Sequence, residues 1–120
     1  MKKQIGKIDK RVINLLNLPV SPDTPIYIGD SNIQHMKSSH PKDYAKYSSN
    51  IIDILKNPDY VAINPKDGSI EYVKEFKIND EYVKVAVRVS GKGTYYARSM
   101  YILNKNRVKN FIKKKTLLKY

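Results

Sequence analysis

The stretch EYVKVAVRVS, residues 81–90, decides the fold class. Val83, Val85, Val87 and Val89 fall on one side of an extended chain, and Lys84, Ala86 and Arg88 on the other. Alternation of this length marks a strand with one buried and one open face. On its N-terminal side, Asn79-Asp80 reads as a two-residue hairpin connection, so SIEYVKEFK (residues 69–77) pairs with it. On its C-terminal side, GKG (residues 91–93) turns the chain into TYYARSMYIL, residues 94–103. Further upstream, YVAIN (residues 60–64) and the PKDG turn (residues 65–68) add one more strand. The expectation is an antiparallel meander of roughly four strands.

The N-terminal half has a different period. Residues 2–8 read as a short strand, and Asp9 as the N-cap of a helix through about Leu18, with Val12, Leu15 and Leu16 on one stripe. Pro19, Pro22 and Pro25 make a loop before a short strand at Ile26–Ile28. Gly29 turns the chain, and Asp30 or Ser31 caps a helix to about Ser38. Pro41 disfavours helical backbone at His40 and can itself sit in the first turn of a second short helix. Ser48 or Ser49 caps a third, with Ile51, Ile52, Ile54 and Leu55 as its buried face, and Asn57-Pro58 stops it. From Asn104 onward, Val108, Phe111 and Ile112 have helical spacing. The predicted class is α+β. N-terminal helices pack on one face of a four-stranded antiparallel sheet, the other face is free for a ligand, and a basic helix follows. The chain has 120 residues and no repeat or long linker, which predicts a single domain over residues 1–120.

Charge narrows the function classes. Twenty-three Lys/Arg face eleven Asp/Glu, a net +12, and residues 82–120 carry eleven of the basic residues and no acidic one. Such a field attracts a polyanion, which points to nucleic acid, with an acidic protein as the next partner class. Its plainer reading is a solvated, solubilising surface. The absence of cysteine removes disulfides, thiolate catalysis and cysteine zinc modules. No apolar run is long enough to span a membrane, and the N-terminus carries no signal-type apolar core, so the expected location is a cytoplasm.

The only histidines, His35 and His40, lie in SNIQHMKSSHPKDY, residues 31–44. Five residues on a continuous helix set two side chains about 140° apart, which does not suit a helical metal pair. No cofactor or metal is therefore expected. Histidine does suit both proton roles in metal-free RNA cleavage, since its unperturbed pKa is ~6.5. The break at Pro41 offers a way to bring both rings to one cleft, flanked by Lys37. Two exposed polar residues beside a helix end remain the bland alternative. On the strands, Lys84, Tyr96, Arg98 and Tyr101, with Lys92 in the turn between them, offer stacking rings and phosphate-gripping cations. Core packing is the alternative for each tyrosine, and a solvated helix end for Lys113, Lys114 and Lys115. Lys74 stands between Tyr72 and Phe76 on one side of its strand, either as a functional cation or as a snorkelling side chain.

Taken together, IYIGDSNIQHMKSSHPKDY, the helix before Pro58-Asp59-Tyr60, the strands through Arg88 and the final RSMYIL resemble the phage-associated barnase–EndoU–colicin–RelE-like ribonuclease families, over roughly residues 5–103. The resemblance implies a metal-independent endoribonuclease that cuts tRNA or another structured RNA through a 2′,3′-cyclic phosphate. It implies His35 and His40 as the proton-transfer pair, Lys74 and Arg88 as cations on the phosphate, and Ser99 as a hydroxyl contact with Tyr101 beside it. It also implies a bacterial or phage-infected host cytoplasm and a cognate immunity or antitoxin protein as partner. Toxin and regulatory phage protein both stay open. The rival readings are a non-catalytic RNA- or DNA-binding module and a basic interaction protein with an acidic partner.

Overall fold

A computed structural model describes residues 1–120. The elements run β1 (Lys2–Ile8), α1 (Lys10–Leu16), β2 (Thr24–Gly29), α2 (Asp30–Ser39), α3 (Pro41–Tyr47), a 3-10 turn (Ser48–Asn50), α4 (Ile51–Lys56), β3 (Tyr60–Ile63), β4 (Ile70–Phe76), β5 (Glu81–Val89), β6 (Tyr95–Leu103), α5 (Lys105–Lys113) and β7 (Leu118–Lys119). The class is α+β, but one sheet of seven strands replaces the expected four, in the order β1-β2-β6-β5-β4-β3-β7. The four-stranded meander is its centre. The two N-terminal strands join it because β2 pairs in parallel with β6 at Ile26–Tyr95 and Tyr27–Tyr96. The two residues of β7 add to the edge of β3.

Val83, Val85 and Val87 of β5 are fully buried and sit opposite Lys74, Tyr72 and Ile70 of β4. Each buried valine contributes about 1.5–3 kcal/mol of hydrophobic stabilisation. Their face meets Ile51, Ile54 and Leu55 of α4, which share the main core with them. Ile52 departs from the expectation: it is 51% exposed, because a helix of six residues turns only one stripe inward. The sheet curls round α4, which touches β1 as well as β4 and β5, while α1 reaches β3. At Gly6 the strand lies so close that an added Cβ would come 3.3 Å from the Leu55 side chain.

The opposite face is not wholly free, which corrects the expectation of an open face. α5 covers its far end through Val108, which packs with Val73, Ala62 and Leu117 in a second small core. Asn104 caps α5 by accepting from the Arg107 amide at 3.1 Å. Helix starts elsewhere use the same chemistry. Asp9 accepts from the Val12 amide at 2.9 Å, whereas α2 is capped one residue early, at Gly29, whose amide donates to the Asn32 side chain at 2.8 Å. The β4–β5 connection is also longer than expected. It spans Lys77–Asp80, with Asp80 at φ 55.

Two features of β6 shape the open face. Its pairing with β2 ends early, and α2 and α3 then lie along it. Asp43 of α3 accepts the Ile102 amide of β6 at 3.0 Å, so a side chain completes the edge that β2 leaves unpaired. The second feature is a register shift against Ala86 and Val87, with Ala97 opposite Val87 and Ser99 opposite Ala86. Arg98 is the extra residue. Strict alternation would set Tyr96 and Ser99 on opposite faces; the bulge puts both on the open one.

Candidate functional site

The open face of β5 and β6 carries Arg88, Ala86 and Lys84 in one row and Tyr96, Ser99 and Tyr101 in the next. α2 lies beside that row with Ser31, Asn32 and His35 on one stripe, at the three- and four-residue spacing of a helix face. These elements enclose a cleft of about 350 Å³ lined by His35, Arg88, Arg98 and Ser99, with Asp67 and Ser69 from the β3–β4 turn. His35, Arg88 and Ser99, chosen from sequence, therefore meet in one depression. Arg98 joins them because of the bulge.

His40 sits at the junction of α2 and α3, outside helical backbone at φ −142 and ψ 68. Its ring stacks on Tyr101, with centroids 4.7 Å apart and an interplanar angle of 23°. Its Nδ1 lies 4.0 Å from the Asp43 carboxylate. Five residues of helix advance about 7.5 Å and two residues of strand about 6.7 Å. The two histidines thus run along β6 in step with Ser99 and Tyr101. His35 has only a loose neighbour, the Ser39 hydroxyl, 3.5 Å from each ring nitrogen.

Lys84 also stands over Tyr101, its ammonium 4.7 Å from the ring centroid. It also bonds the Glu71 carboxylate at 2.9 Å. Burial works against its charge, but the hydrogen bonds with Tyr101 and Glu71 outweigh burial and hold the ammonium above the usual lysine range.

Lys74 lies elsewhere. It pairs with Val83 and so shares the helix-covered face with Tyr72, where its ammonium bonds the Asn57 carbonyl at 2.8 Å and lies 3.9 Å from Asp53. Among the candidate RNA contacts, Tyr96 and Arg98 line a neighbouring depression at the start of α2, with Lys2 and Ser90. Lys92 is exposed at the tip of the adjoining hairpin. Lys37 stands over the Tyr44 ring at 5.8 Å. Lys113, Lys114 and Lys115 end α5 and line neither the cleft nor its neighbour.

Asp67 and Ser69 were not singled out from sequence, where PKDG signals only a turn. Asp67 accepts from the Ser69 hydroxyl at 2.6 Å and from the Ser69 amide at 2.9 Å. Those bonds, aided by the nearby Arg88 and Lys84 charges, hold its carboxyl below the usual carboxylate range. Ser69 is 3% exposed, the one polar residue of the buried set. The signal for it was a serine directly after Asp-Gly at the start of a strand, poised for an Asx-type turn.

No group of three or more His, Asp or Glu side chains is placed to hold a metal ion. No helix is long and apolar enough to cross a membrane. Neither the curated proteins nor the solved structures compared with the chain contain a match to it. A family model does match, over residues 3–110, and those residues include every side chain of the cleft. The chain belongs to the family described as phage-Barnase-EndoU-ColicinE5/D-RelE like nuclease 3.

Proposed function

We propose that the chain is a metal-independent endoribonuclease that cuts tRNA or another structured RNA through a 2′,3′-cyclic phosphate. The observation that carries the reading is the convergence of His35, Arg88, Arg98 and Ser99 on one open cleft, with His40 held on Tyr101 one step along the same strand. In this reading the reacting phosphate lies between Ser99 and Tyr101, with His35 level with the first and His40 with the second. One imidazole takes the proton of the ribose 2′-hydroxyl as that oxygen attacks phosphorus. The other gives a proton to the 5′-oxygen as the P–O5′ bond breaks, leaving a cyclic phosphate and a free 5′-hydroxyl.

Arg88 and Arg98 stabilise the charge that grows on the non-bridging oxygens, and Ser99 donates to one of them. Lys84 takes the supporting place that the family resemblance gives to Lys74, since it lies on the cleft face and is held positive. A cleft of about 350 Å³ has room for a single nucleotide rather than a duplex, so a looped-out strand suits it, and tRNA offers such loops. A cognate inhibitor, in this account, is an acidic protein that covers the same face.

The test is incubation of the protein with total tRNA in EDTA, with analysis of the new ends. Discrete fragments ending in 2′,3′-cyclic phosphate are expected. Intact RNA that is nonetheless bound in a salt-sensitive way would contradict the enzyme and leave a binding module.

A further inference from the structure

A depression of about 530 Å³ opens beside the cleft, at the N-terminal end of β6. It shares Ser31, Asn32 and Arg98 with the cleft and adds Lys2, Ser90 and Tyr96. The sheet register fixes its place. Tyr96 pairs with Arg88 and Ser99 with Ala86, so Tyr96 lies one row, about 6.7 Å, further along β6 than Ser99. The rows on the open face therefore run Tyr101, Ser99, Tyr96.

Lys2 is a held cation rather than a free surface lysine. Its ammonium stands 4.5 Å from the centroid of the Tyr27 ring. Tyr27 pairs with Tyr96 across the parallel β2–β6 ladder, and the two rings are 6.4 Å apart. Lys2 itself pairs with Gly29, which leaves the floor of the depression bare: an added Cβ would come 3.4 Å from the Asn32 side chain. The carbonyl oxygen of Asn32 takes the Gly29 amide at 2.8 Å, so its NH₂ group is left to donate. The one carboxylate of the depression, Asp30, is matched by the terminal ammonium at 3.2 Å. An ammonium, a guanidinium, a side-chain amide and hydroxyls around a bare floor suit an oxyanion.

We infer that this depression holds a flanking phosphate of the same RNA strand whose scissile phosphate lies in the cleft. The strand then runs along β6 towards Lys2, and β1, outside the four-stranded meander, becomes part of the binding surface. The identity of the strand rests on the ribonuclease reading of the neighbouring cleft.

The test measures binding of 2′-O-methyl trinucleotides, which lack the attacking 2′-hydroxyl and carry two phosphodiesters. Each phosphodiester in turn is replaced by an uncharged methylphosphonate, and the wild-type chain is compared with Lys2→Ala and Lys2→Arg. Neutralising one of the two linkages should weaken binding to wild type and Lys2→Arg by about tenfold, the scale of a charge-assisted hydrogen bond. The same replacement should cost Lys2→Ala far less, while neutralising the other linkage costs all three chains alike. Affinity for the unmodified strand should also fall less steeply with salt in Lys2→Ala, by about 0.7 in logarithmic slope. Equal losses in wild type and Lys2→Ala at both linkages, no loss at either, or no binding at all would overturn the inference. Cleavage is not needed for this readout. RNA left intact by a chain that shows the Lys2-dependent loss would contradict the ribonuclease and leave the phosphate site standing.

Discussion

The His40 imidazole lies flat on the Tyr101 ring, 4.7 Å between centroids, and the Lys84 ammonium sits 4.7 Å from that ring. The phenol is thus the platform that holds His40, and in the proposed mechanism its loss should move a proton-transfer group out of line. Tyr101→Ala is expected to lower cleavage by about 100-fold, the scale of a small misplacement of a catalytic group. Tyr101→Phe keeps the platform and should stay close to wild type. Single-turnover cleavage rates distinguish the two.

Asp43 joins fold and site. Its carboxylate takes the Ile102 amide at 3.0 Å, and it faces His40 at 4.0 Å. Asp43→Ala leaves a part-buried strand amide without its partner and should cost about 1–3 kcal/mol. Asp43→Asn keeps an acceptor and should cost less. Urea unfolding midpoints measure both.

The two faces of the sheet give opposed expectations for two cations. Arg88 lines the cleft, and Arg88→Ala should lower the cleavage rate by roughly 10²–10³-fold with unfolding little changed, the scale of losing one transition-state donor. Lys74 is tied to the Asn57 carbonyl on the other face. Lys74→Ala should therefore leave cleavage near wild type. Parallel kinetics and thermal melts of the two variants check the assignment.

Much of this arrangement was legible in the sequence, because it is written in local pattern. The valines of EYVKVAVRVS placed Arg88 and Lys84 on the open face, and Pro41 marked the break that turns His40 towards β6. What was not legible depends on distant partners. β7 is two residues long and exists only through its pairing with Tyr60 and Val61. The bulge at Arg98 is set by β5, and no residue of YYARSM announces it. Lys74 and Lys84 both stand among aromatic and aliphatic neighbours in sequence. Alternation sets Lys84 opposite the valines, but only the pairing of β4 with β5 places Lys74 on the valine side.

The C-terminal Tyr120 supplies a pH expectation. Its hydroxyl donates to Asp9, the cap of α1, and its ring lies 4.9 Å from the Arg11 guanidinium. Burial and the bond to Asp9 push its pKa up to about 12 from 10.0. The folded chain therefore holds this proton more tightly than the unfolded chain. The stabilisation is full below the unfolded value of 10.0 and is lost as pH rises through about 12. Tyr120→Phe should be less stable at neutral pH and should lose less between those values. Denaturation midpoints across the alkaline range read the difference.

In the proposed mechanism His35 and His40 divide the two proton transfers at one phosphate. The single-turnover cleavage rate of tRNA in EDTA, for wild type, His35→Ala, His40→Ala and the double variant, tests that division. Each single variant should lose roughly 10²–10⁴-fold, with folding and RNA binding retained. The double variant should lose far less than the product of the two, as for groups acting as one unit. Cleavage at wild-type rate in either single variant would contradict the account.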